Sequence, residues 1–182
     1  ATAIDKNFLT NAVIRSGYDN LRIDDPLLTR AKGLHPAQEI CAACWLIPRR
    51  IIEKIGGFNP LFFHYSEDVN YQYRLFYHHM CIAWAGGTHV CHDREFRKRQ
   101  PATYIRVRQE LVLRASNINV SPLKATLQEI RYGIGVLHTA LAYREWRSIA
   151  YFWKAYFYML THMTKAINDS RNIEKKQGEN WL

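Results

Sequence analysis

Four cysteines in 182 residues are too few and too scattered to staple a small fold. No run of 18 uncharged apolar residues occurs, so no helix is expected to cross a bilayer. No basic segment followed by an apolar core opens the chain, so no secretory leader is visible. Internal repeats and low-complexity tracts are also missing, which excludes solenoids and disordered tails as the main architecture. The first residue is Ala1, so a larger precursor or a trimmed chain is expected. Acidic residues are the minority: 16 Asp and Glu stand against 25 Lys and Arg, a formal charge of +9. An anionic partner is therefore expected, whether nucleotide diphosphate, lipid phosphate, membrane surface or nucleic acid. No nucleic-acid motif such as a basic-region zipper or an RNP sequence accompanies that charge.

What remains is an ordinary globular composition, 48% apolar, with a high aromatic share of 13%. Up to about residue 38 the signals are turns, at Asp24-Asp25-Pro26 and Gly33-Leu34-His35-Pro36. Ile40 to Ile47 is an apolar run of strand length ended by Pro48. On such a strand Cys41 and Cys44 point to opposite faces, which favours small core residues over a metal or redox pair. Pro48 suits the start of a helix over Arg49 to Ile55, stopped by Gly56-Gly57. Ser66 is placed to cap the next helix, with Glu67 and Asp68 in its first turn and one buried stripe of Val69, Tyr73, Phe76 and Met80. His78 and His79 are expected on the surface at its end. Short strands at Cys81 to Trp84 and Thr88 to Cys91 flank a turn at Gly86-Gly87.

Beyond His92 a basic stretch, Arg94 to Arg108, enters a helix after Pro101; it reads as an anion site or as a solvated connector. A second helix opens at Ser121-Pro122 and carries a regular apolar stripe, Leu123, Leu127, Ile130, Ile134, Leu137 and Leu141. A third, from about Glu145 to Asn168, has apolar residues around much of its circumference, which means deep packing or shallow insertion at a bilayer interface. From Ser170 the tail is polar and expected to fray.

The segment from Gly56 to Asp68, GGFNPLFFHYSED, concentrates the chemistry. Two carboxylates at a helix start, where the dipole favours negative charge, behind an aromatic loop, suit a base that takes a proton from a sugar hydroxyl. By itself an acidic first turn is common decoration. The order of AACWLIP, IGGF, PLFFHYSED and HDR over residues 39 to 94, however, resembles family 2 glycosyltransferases, inverting enzymes of the GT-A fold.

The resemblance implies an α/β fold for residues 1–100, the acceptor-binding half of a Rossmann-like GT-A domain with short mixed strands, followed by an α-helical extension over 101–182. It implies that Asp68 is the catalytic base, with Glu67 supporting the site, and that His92 helps bind a divalent cation, Mn or Mg, beside a nucleotide-sugar donor. Trp45, Phe63, His64 and Tyr65 are the acceptor-binding candidates, although core packing is the stronger reading for Trp45. Arg74 and Arg94 are candidates for the diphosphate or another anion, with a solvated helix arginine as the alternative for Arg74.

Three departures from the family pattern stand out. Asn59 replaces the aspartate of Gly-Gly-Phe-Asp, Asn70 replaces a third acid, and no Asp-x-Asp of a donor half occurs anywhere. The chain is thus expected to be a second half cut near the donor/acceptor boundary and inactive alone. A Gln-x-x-Arg-Trp motif is missing too, which favours single addition over polymerisation. Family habit implies bacterial surface polysaccharide or glycolipid assembly on a lipid-linked or sugar acceptor, in the cytoplasm at the inner face of the membrane. An exposed sheet edge would favour a homodimer. The competing reading is a basic helical module for acidic membranes or nucleic acid without catalysis, and it leaves the Gly-Gly-Phe to Glu-Asp segment unexplained.

Overall fold

The structure is a computed structural model that describes residues 33–37, 40, 42, 44–63, 65–86, 103–178, 180 and 181. It is mostly helical, with one small antiparallel sheet of two strands. The chain forms two compact units, residues 1–47 with 79–100, and residues 48–78 with 101–182. The boundary expected at residue 100 is therefore one of three places where the chain passes between units, and the helices at 49–55 and 67–77 belong with the C-terminal helices.

In the first unit β1 (Gly33–Ala37) pairs with β2 (Ile82–Gly86), Gly33 opposite Gly86 and Ala37 opposite Ile82. Residues read as a turn, Gly33 to Pro36, thus form a strand, and Gly86 is the last residue of β2, with Gly87 of the expected turn outside the described residues. Pro36 has no N–H to offer a ladder, which suits it to the ribbon formed among the described residues, where β1 has β2 on one side. The strand expected from Ile40 to Ile47 does not form among the described residues. Its members 44–47 are irregular backbone, with Leu46 97% exposed and Cys44 an exposed free thiol. Strand propensity depends on context more than helix propensity does, and the residues that pair with β2 are 33–37. The strand expected at Thr88 to Cys91 falls outside the described residues.

The second unit begins with α1 (Arg49–Ile55) and α2 (Glu67–Tyr77), both at the expected positions. Then follow α3 (Tyr104–Ser116), α4 (Pro122–Tyr143) and α5 (Arg147–Tyr158). A π-turn at Met159–Met163 leads into α6 (Thr164–Glu174). Thr103 and Ser121 cap α3 and α4, their hydroxyls accepting from Arg106 N and Lys124 N, both at 3.3 Å. Both caps have extended backbone, the geometry that folds a side-chain oxygen back over the first turn.

α3 is the central helix: it packs against α4, α5 and α6. Val107, Leu111, Val112 and Leu113 meet Phe62, Phe152, Ala155, Met159 and Ile167 in the core. The inward positions of the last helical stretch, Phe152, Ala155, Met159, Met163 and Ile167, end in three steps of four residues. The wider winding of the π-turn accommodates that spacing without turning the stripe away from the core.

Helicity continues past the expected end at Asn168, and the tail does not fray at Ser170. Ser170, Arg171 and Glu174 are buried, because their polar groups are the ones that end other helices and loops. Arg171 donates to the carbonyls of Ala115 (2.9 Å), Asn117 (2.7 Å) and Val120 (3.0 Å), where the backbone leaves α3. Carbonyls at a helix C-terminus have no partner within the helix, and a planar guanidinium can serve several at once.

α4 turns Ala125, Glu129 and Ala140 inward. Its regular Leu and Ile stripe is on the other side and is exposed throughout. The close approach of α5 needs Gly133: a Cβ there would come within 2.8 Å of Phe152 Cζ. Gly133→Val is expected to destabilise the second unit by about 1–3 kcal/mol through overpacking, read as an earlier midpoint in urea denaturation.

Candidate functional site

α1 stops where Gly56 takes a φ of 82°, a left-handed conformation open to glycine. Glycine is required here for a second reason: a Cβ would fall 1.9 Å from the carbonyl oxygen of Asn180. Gly57 N donates to that oxygen at 2.7 Å, and Gly178 N donates to Lys54 O at 2.9 Å, so the end of the chain is laid along the end of α1. Arg74 completes the stop from α2. Its guanidinium donates to the carbonyls of Ile55 and Gly57 and lies over the rings of Tyr71 and Trp181.

Arg74 is fully buried, and burial pulls its pKa down while Glu174 and Tyr71 push it up. It is thus neither a solvated helix arginine nor presented to an outside anion; its donors close a helix.

The loop after Gly57 is held by Asn59. Its Nδ2 donates to Ser170 Oγ and to Glu174 Oε1, both at 2.6 Å, and its Oδ1 accepts from Leu61 N at 3.0 Å. Asn70 Nδ2, from α2, donates to the same Glu174 Oε1 at 2.8 Å. Asn59 and Asn70 therefore share one buried carboxylate oxygen. An aspartate at either position would set a second negative charge against Glu174. His78 belongs to the same cluster and not to the surface: it is buried, with Nε2 2.8 Å from Glu174 O, whereas His79 is exposed.

Anchored in this way, the loop sends Phe62 into the core and leaves Phe63 95% exposed and Tyr65 38% exposed. Tyr65 and Ser66 then both take left-handed backbone, with φ of 70° and 67°. Such a conformation costs a non-glycine residue of the order of 1–3 kcal/mol. It also stops Ser66 from capping: α2 starts at Glu67 as expected, but the Ser66 hydroxyl makes no bond to the first turn. Asp68 serves the helix start instead, its Oδ1 accepting from Val69 N at 2.8 Å. Glu67 and Asp68 are both half-buried, and Glu67 Oε2 is enclosed without a hydrogen-bond partner.

The inward face of α2 is not the apolar stripe expected. Asn70, Tyr71, Gln72 and Arg74 are buried, Val69 and Tyr73 are only partly so, Phe76 is 36% exposed, and Met80 lies beyond the helix. The reason is that the groups facing α2 are carbonyls and Glu174, which polar side chains satisfy and apolar ones would strand.

Of the other candidate residues, Trp45 is half-buried on irregular backbone in the first unit. His64, His92 and Arg94 lie outside the described residues. Among the described residues no three His, Cys, Asp or Glu side chains come together to hold a metal ion. Sequence reading passed over Glu174, Arg171 and Asn59 as working residues. The signal for the first two was present, since Ile167, Ser170, Arg171 and Glu174 continue the inward spacing of α5. No protein-family model, no curated protein and no solved structure matches the chain.

Burial is the main influence on Glu174 and raises its pKa, with the two asparagines and the two arginines pulling the other way. The folded state therefore holds this proton more tightly than the unfolded chain does. The contribution to stability is full below the ordinary glutamate range and is lost as pH rises through the raised value. Urea denaturation at a series of pH values is expected to show this loss, and Glu174→Gln is expected to flatten it. Asn70→Asp is expected to cost about 3 kcal/mol at neutral pH, with the deficit shrinking on acidification as one carboxyl of the pair takes up a proton.

Proposed function

We propose that the chain is the acceptor-side half of an inverting glycosyltransferase similar to family 2, with Asp68 as the base. The observation that carries the reading is the placement of Asp68. It lies in the first turn of α2, half-buried and not sealed, directly after a loop that exposes Phe63 and Tyr65 while its root is fixed by Asn59. A base must be held firmly and still be reachable, and exposed loop aromatics give a sugar ring an apolar face to lie on.

In the reaction, the acceptor hydroxyl gives its proton to an Asp68 carboxylate oxygen as its oxygen bonds to the anomeric carbon. The bond from that carbon to the nucleotide diphosphate breaks on the opposite side, which inverts the configuration. Asp68 Oδ1 already accepts the Val69 N–H, which fixes the orientation of the carboxylate. The proton is received on this carboxylate, whose two oxygens together accept more than one hydrogen bond. Glu67, enclosed beside it in sequence, supports the negative character of this turn. The GT-A domain, the donor half, the divalent cation with His92, and an acceptor in surface polysaccharide or glycolipid assembly belong to this same reading.

Asp68→Asn in the enzyme that carries both halves is expected to lower kcat by about 10²–10⁴-fold, the usual worth of a positioned base, with little change in KM for the donor. The carboxamide can still accept the Val69 N–H, so circular dichroism and the urea midpoint should be unchanged. Turnover near that of the parent enzyme would remove the assignment.

A further inference from the structure

α4 carries apolar side chains on two faces, and the outward one has the more regular row. Leu123, Leu127, Ile130, Ile134, Leu137 and Leu141 are spaced alternately by four and three residues, with exposures of 73, 57, 54, 64, 47 and 58%. At 1.5 Å per residue the row is about 27 Å long. Single exposed leucines are ordinary on a soluble surface, whereas a continuous row of six marks a contact face. Nothing among the described residues covers it.

Charge identifies what does. Lys124, Arg131 and His138, seven residues apart and all exposed, run as a second row directly beside the apolar one. The carboxylate of this helix, Glu129, is turned into the protein and is 7% exposed, with burial raising its pKa. At the end of the helix the exposed Trp146 stands between two further exposed cations, Arg144 and Arg147. An apolar row, a basic row beside it, a tryptophan at the tip and no outward acid on the helix fit the boundary between acyl chains and anionic headgroups. A second copy fits less well. Arg131 is at the middle of the row, so two-fold antiparallel pairing would set Arg131 against its own copy and Lys124 against His138.

We propose that the outer face of α4 docks on an anionic lipid surface, with the Leu and Ile row at the acyl boundary and the basic row at the phosphates. No described helix is long and apolar enough to cross a membrane, so the contact is interfacial. The proposal concerns α4 alone and stands whether or not Asp68 is a base.

The test is sedimentation of the 182-residue chain with vesicles of phosphatidylcholine, alone or mixed with phosphatidylglycerol. The chain is expected to sediment with the mixed vesicles, to remain in solution with the neutral ones, and to be released by raised salt. Ile130→Glu with Ile134→Glu should abolish binding while circular dichroism stays unchanged, since both side chains face away from the core. Lys124→Glu with Arg131→Glu should weaken binding at least about twentyfold, at about fivefold for each cation lost from the surface. Failure to sediment with the mixed vesicles would overturn the proposal, as would binding indifferent to the Ile130/Ile134 pair. A dimer in sedimentation equilibrium that the same pair disperses, with no capture by vesicles, would assign the face to a second copy instead.

Discussion

One buried carboxylate ties the second unit together. Glu174 Oε1 accepts from Asn59 and Asn70, the Glu174 backbone carbonyl meets His78, and Arg74 and Arg171 supply the positive charge that keeps the group tolerable away from water. A carboxylate in such a place is costly unless its partners are complete. The cost is offset in part by partners of Oε1 and by charge from three segments, the loop after α1, α2 and α6, while Oε2 is buried without a hydrogen-bond partner. The acid pair at Glu67-Asp68 therefore sits on a loop and a helix that are both fastened to one point.

The same logic recurs at the helix ends. Arg74 serves the carbonyls left by α1, and Arg171 serves those left by α3. In each case a planar, permanently charged group from another helix adds to the local C-cap, Gly56 on α1 and Asn117 on α3. Lysine has a single ammonium centre and could not reach two or three carbonyls in fixed directions. These arginines convert the polar ends of two helices into interior surface, which lets a small unit bury its termini.

Much of the helical order was legible in the residues. Pro48, the Gly56-Gly57 pair and Ser121-Pro122 are local signals, and α1 and α4 begin or end where they indicate. What was not legible depended on partners far along the chain. The run from Ile40 to Ile47 has strand character, yet its members 44–47 are irregular backbone, while residues 33–37, read as a turn, pair with β2. Ser66 has the right side chain for a cap and the wrong backbone, because the loop before it arrives in left-handed conformation. The outer stripe of α4 is as periodic as any core stripe, and periodicity alone cannot say which of two apolar faces is covered. At the candidate site, the position of the acids on α2 was readable. The two asparagines, Asn59 and Asn70, were visible too, but what they bind was not, since it is Glu174, more than a hundred residues away.

That separation has a kinetic side. The bond from Asn59 to Glu174 spans 115 residues, and the contact of Gly57 with Asn180 is longer still. On a ribosome adding about 5–20 residues per second, the acid-bearing loop would emerge on the order of ten seconds before the glutamate that fastens it. During that interval Asn59, Asn70 and Arg74 must remain hydrated, since closing around them early would trap unpaired polar groups. Maturation of the Glu67-Asp68 turn is thus timed by the synthesis of α6, and a nascent chain stalled before α6 would carry the motif without its geometry.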